Sequence, residues 1–284
     1  MRVLFFSIIL TSTIFAVGEA GAIFLLISPG AGAQGTGEAQ VAKVDDAYAS
    51  FYNPAGLAYL DGTHLSGMHV RWLPQLAKDI NYEYLGYARS LGAIGSLGGH
   101  FVYLDLGDQQ GMDEFGNPTE TFKSYMWAAT TSYGTKLNSK SSIGVSFKVF
   151  HQKLANSAVG YEEGKPSSTD FAFDVGYLNS ITNKLKLGFC ISNIGPTIDF
   201  IDKDQADPAP TNLRAGFSYD IFNNKFNRLT VLSDFNKMLI TRYPDMDWDG
   251  DGVIGGYDES ATFLGSGYEG ADYNSSGNRE KNSF

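Results

Sequence analysis

Asp170-Phe171-Ala172-Phe173-Asp174-Val175-Gly176-Tyr177 decides the fold. Successive strand side chains point to opposite faces, so Phe171, Phe173, Val175 and Tyr177 share one face and Asp170, Ala172, Asp174 and Gly176 the other. Residues 142–151 repeat the pattern, with Ile143, Val145, Phe147 and Val149 opposed to Gly144, Ser146 and Lys148, and Phe150 out of step. Leu185, Leu187, Phe189 and Ile191 stand in the same way against Lys184, Lys186, Gly188 and Ser192. Residues 125–134 bring Tyr125, Trp127, Ala129 and Tyr133 together; residues 212–221 set Leu213, Ala215, Phe217 and Tyr219 against Asn212, Arg214, Gly216 and Asp220. Weaker alternation covers residues 65–72, 81–89, 97–106 and 228–239. About nine strands follow with no helical period between them, so the chain reads as all-β and antiparallel.

Alternation serves a soluble sandwich as well as a barrel in lipid, because one turns its apolar face inward and the other outward. Connection lengths separate them. Short breaks at residues 91–96, 138–141, 179–183 and 223–226 interleave with longer ones at 74–80, 107–119, 155–168 and 194–211. An up-and-down barrel with periplasmic turns and outer loops produces that order. The chain start agrees. Met1-Arg2 precedes an apolar run at 3–17, with small residues Gly18 and Ala20 placed for signal peptidase. A run of about 15 residues is short for a helical span, which needs roughly 20, so residues 1–20 read as a cleaved signal peptide. An exported chain without a later helical span reaches a membrane as a closed barrel, and the outer membrane is the expected location.

Composition narrows the function classes. The 284 residues carry a net charge of −10 with no cluster of Lys and Arg, which excludes a nucleic-acid partner. Cys190 is the single cysteine, so an internal disulfide and a cysteine-rich zinc site are both excluded. His64, His69, His100 and His151 lie scattered on expected strands as lumen or girdle residues. The glycines of 92–99 lack the Lys-Ser/Thr of a phosphate loop. Asp170 and Asp174 share a strand face as wall residues, and Asp45 and Asp46 read as turn caps. No enzyme is expected.

The acidic stretch Asp247-Trp248-Asp249-Gly250-Asp251-Gly252-Val253-Ile254-Gly255-Gly256-Tyr257-Asp258 has the spacing of a twelve-residue calcium loop. Asp247, Asp249 and Asp251 supply carboxylates at positions one, three and five, Gly252 the sharp turn, Val253 a backbone carbonyl and Asp258 the last carboxylate. The shorter Asp258 replaces the usual Glu, and Glu259 stands next to it. A structural Ca2+ in an outer loop is the expected cofactor.

Between signal and first strand lies a Gly- and Ala-rich segment, Ser28-Pro29-Gly30-Ala31-Gly32-Ala33-Gln34-Gly35, followed by Ala47-Tyr48-Ala49-Ser50-Phe51-Tyr52-Asn53-Pro54-Ala55-Gly56-Leu57. With Ser192-Asn193-Ile194-Gly195-Pro196, Asp207-Pro208-Ala209-Pro210-Thr211-Asn212 and Arg242-Tyr243-Pro244, it resembles the PorV/PorQ family within the FadL-like outer-membrane barrels. The resemblance implies a barrel of about fourteen strands with residues 21–60 folded into the lumen as a plug. It also implies a role in type IX secretion, in which the protein binds cargo by its C-terminal signal domain and carries it from translocon to attachment complex. The partners are then outer-membrane lipid, those complexes and cargo. Alternatives are a FadL-type transporter of long-chain fatty acids and a purely structural barrel. The expected organisation is signal peptide 1–20, plug 21–60, strands 61–240 and a long outer loop 241–284, with the chain truncated inside that loop because nine strands fall short of fourteen.

Overall fold

The computed structural model describes residues 20–72, 74–75, 77, 79–112, 116–156, 166–200, 206–239, 271–273 and 279–281. Nine strands form one sheet: β1 (Thr63–Arg71), β2 (Asn81–Ser90), β3 (Ser96–Met112), β4 (Pro118–Lys136), β5 (Ser141–Lys153), β6 (Ser167–Ser180), β7 (Leu185–Ile194), β8 (Asn212–Asn223) and β9 (Arg228–Met238). Each pairs antiparallel with the next, and the spatial order is the chain order. A separate hairpin joins β10 (Ala271–Tyr273) to β11 (Arg279–Lys281). Among the described residues the large sheet is not closed; β1 and β9 are its two ends.

Which face is covered separates the two architectures that alternation permits. On β6, Phe173 and Val175 are 46% and 44% exposed, whereas Asp174 between them is 2% exposed. On β5, Ile143, Val145 and Phe147 are exposed and Ser142, Ser146 and Lys148 are buried. A sandwich would bury the apolar set between two sheets. Here that set looks outward and the polar set inward, as in a barrel whose solvent is lipid.

The inner face is covered by the segment before β1. Residues 20–60 carry two short helices, α1 (Ala31–Gly35) and α2 (Ala49–Tyr52), and two short 3-10 segments, Ile23–Leu26 and Pro54–Tyr59. Such short elements cannot hold their shape by helical hydrogen bonding alone; packing against the wall fixes them. Phe150, the residue out of step on β5, shows how. It points inward, is buried, and packs edge-on against Phe24 of the plug with ring centroids 6.4 Å apart.

One expected boundary shifts. The break anticipated at 107–119 is largely strand, because β3 runs on to Met112 and β4 begins at Pro118. The ladder survives two irregularities, between Asp105 and Asp108 and between Gln110 and Met112. Bulges of this kind re-aim a hairpin without ending its pairing. The polar residues there lack hydrophobic alternation, which hid the strand from the sequence pattern.

Candidate functional site

The candidate site is the seat of the plug inside the curved wall. Its centre is the turn Asn53-Pro54-Ala55-Gly56. Asn53 is fully buried, and its side-chain carbonyl accepts the Ala55 amide at 3.1 Å. Its side-chain amide donates to the backbone carbonyls of Val41 at 2.8 Å and Tyr177 of β6 at 3.2 Å. Below the turn, Gly134 pairs with Gly144 and Gly144 with Gly176, so three glycines line up across β4, β5 and β6. A Cβ at Gly144 would collide with the Pro54 backbone, and one at Gly176 with the Asn53 side chain. The glycines are therefore the floor of a groove cut for this turn.

A second pair, Gly188 and Gly216, lies opposite one another on β7 and β8. A Cβ at Gly188 would strike Val41, and one at Gly216 would strike the Asp234 carboxylate. That carboxylate, from β9, accepts both the Gln40 and the Val41 amides at 2.8 Å. Charge-assisted hydrogen bonds to two adjacent amides clamp the plug to the far end of the sheet. At the near end the Gly30 amide donates to the Met68 sulfur of β1 at 3.1 Å, and Tyr82 of β2 donates its hydroxyl to the Ile27 carbonyl at 3.0 Å. The plug thus ties β1 to β9 through its own backbone.

Buried polar side chains fill the space around the plug. Lys148 donates to the Asn193 side chain at 2.5 Å and lies 3.5 Å from Asp174. The Asn193 amide donates to Asp174 at 2.7 Å, and its side chain donates to the Pro210 carbonyl at 3.3 Å. Asn193 holds the left-handed conformation, φ 58°, which Asn tolerates better than most residues. The Asn193-containing and Pro210-containing stretches singled out in the sequence therefore meet at one polar cluster. His100 sits between Ser50 of the plug at 2.8 Å and Thr130 of β4 at 3.0 Å. Arg214 lies over the rings of Phe51 and Tyr52, about 5.3 and 5.4 Å from their centroids. Tyr52 donates to the Pro29 carbonyl at 2.7 Å, and burial raises its phenol pKa, keeping it a donor.

The residues expected from the sequence fall in three groups. Asp247, Asp249, Asp251, Val253 and Asp258 lie outside the described residues, as do residues 1–19 of the stretch 1–20 expected as a signal peptide. Asp46 acts as the expected turn cap, accepting the Tyr48 amide at 2.8 Å, and burial raises the pKa of its carboxyl. Asp174 and His100 are wall residues as expected, but joined into networks. Asp234 was not singled out, and Arg214 only as a residue of the polar strand face: each is one charged residue on an inner face, and the plug's position gives it a partner. Among the described residues, no group of three His, Cys, Asp or Glu is placed to hold a metal. A cavity of about 370 Å3 opens beside the plug at the end of the short turns, with Lys43, Asp45, Lys186, Asp220 and Arg228 in its wall.

Comparison with known proteins bears on this architecture. A family profile described as Type IX secretion system protein PorV matches residues 15–245. No curated protein matches the chain. Among solved structures, a deletion mutant of the monoaromatic hydrocarbon channel TodX is similar at 15% identity with a TM-score of 0.43, over 66% of this chain and 64% of that one.

Proposed function

Because the chain belongs to the PorV family of type IX secretion system proteins, we propose that it is an outer-membrane component of that machinery. In this role it binds secreted cargo by the cargo's C-terminal signal domain and hands it to the surface attachment complex. The observation that carries membrane residence is the inverted wall, with Phe171, Phe173 and Val175 exposed over buried Asp174 and Lys148. A water-soluble sheet with that outer face would expose an apolar patch of a size that marks a membrane or protein contact. The N-terminal stretch 1–20 would direct export.

The plugged interior supports handing over of protein in preference to passage of a greasy molecule. On the inner face His100 bonds Ser50 of the plug and Lys148, Asp174 and Asn193 bond one another, while the apolar lining that a fatty-acid path calls for, Tyr82, Val102, Leu104 and Phe150, is packed against the plug. Deletion of the gene in its native host, with complementation, tests the proposal. Loss of cargo from the cell surface, together with copurification of a cargo C-terminal domain, is expected. Normal display with lost fatty-acid uptake would assign the chain to transport instead.

A further inference from the structure

The four short turns share a chemistry that barrel closure does not require. They comprise residues 91–95, 137–140, 181–184 and 224–227, and antiparallel pairing brings them to one end of the sheet together with the start of β1. With their flanks (89–97, 135–142, 180–187 and 221–229) they contain no Asp or Glu, in a chain with 31 acidic and 21 basic residues. Asp79, Asp105, Asp108 and Asp199 stand at the opposite end, while Asp45, Asp61 and Asp220 line the cavity beside the turns.

Each turn pairs an exposed basic residue with an exposed apolar one. Arg89 flanks the turn carrying Ile94, which is 69% exposed. Lys140 accompanies Leu137, and Lys184 accompanies Ile181. Lys225 neighbours Phe226, which is 84% exposed. None of these four bases is in an ion pair among the described residues. Nearby, Lys136 lies over the Tyr59 ring at 5.2 Å and Arg228 pairs with Asp220 at 3.3 Å, and Lys225 itself lies over the Phe226 ring at 5.7 Å.

We infer that this end is a collar seated in the headgroup layer of the membrane leaflet it meets, and that it binds anionic glycerophospholipid. The inference rests on the membrane residence proposed above. An apolar side chain next to a fixed cation matches a lipid, with acyl chain on one side and phosphate on the other. An acidic protein would answer the charges but leave Ile94 and Phe226 in water. Four turns repeating the pair give the collar its length along the wall, and the turns themselves carry no carboxylate to repel lipid phosphate.

The full chain is reconstituted into bilayers of phosphatidylcholine with a minority of phosphatidylglycerol. It is then released with its annular lipid for native mass spectrometry. Retained phosphatidylglycerol about threefold above its bulk fraction is expected, falling to the bulk value in 0.5 M salt. The combined Arg89→Gln, Lys140→Gln, Lys184→Gln and Lys225→Gln variant should retain lipid at bulk composition. Should that variant fold poorly, the salt series on the unmodified chain decides alone. Retained lipid that mirrors the bulk, or enrichment indifferent to both salt and the substitutions, overturns the collar. Failure to enter the bilayer would instead overturn membrane residence.

Discussion

Lys148 and Asp174 hold opposite charges in a place where neither reaches water, with side chains 5% and 2% exposed. Removing one partner of such a pair leaves an uncompensated buried charge, which costs more than the pair contributes. Lys148→Met should therefore lower stability by about 3 kcal/mol, and Lys148→Met with Asp174→Leu by much less. Urea unfolding from bilayers measures both; equal losses would mean that water reaches the site. At this scale the sequence was legible wherever a side chain's phase along the strand set its environment. Asp174 on the inner face is such a case. Phe150 was not, because its aromatic ring on a polar face makes sense only once Phe24 is known to lie opposite. Gly144 was visible as an inner-face residue, but a missing Cβ gives no sign that Pro54 will occupy the space.

The strands were legible as elements because two-residue alternation is a local property that survives without knowledge of neighbours. The β3–β4 hairpin escaped in part for the same reason: beyond Asp105 its residues are mostly polar and the few apolar ones, Leu106, Met112 and Phe122, do not alternate, so cross-strand pairing carries it on. The plug could be read as non-strand but not as to how it seats, since five wall glycines and Asp234 come from strands far away in the chain. The acidic stretch 247–258 is an element of another kind, specified by the spacing of its own oxygens. We propose that Asp247, Asp249, Asp251, the Val253 carbonyl and Asp258 hold a structural Ca2+. Titration calorimetry on the full chain should give one site, lost in Asp249→Ala, with the strands' unfolding unchanged by chelation. A chain that takes up no calcium at millimolar concentration refutes the site.

For the whole molecule, the same fact that identifies the wall also sets how it responds to charge. In a soluble protein an outward position such as Val175, 44% exposed, accepts Arg at a cost within about 0.5 kcal/mol. In a lipid-facing wall the guanidinium must leave water, and near the bilayer midplane that costs about 2–4 kcal/mol. Val175 lies mid-strand on β6, between Phe173 on its own strand and the cross-strand neighbours Val145 and Ile191. Val175→Arg should thus lose about 2–4 kcal/mol when folding into bilayers is followed by urea titration. The substitution does not touch the plug, because the side chain points away from it, so Lys148, Asn53 and Asp234 keep their partners. A loss below about 0.5 kcal/mol would place the outer face in water and remove the physical ground for membrane residence.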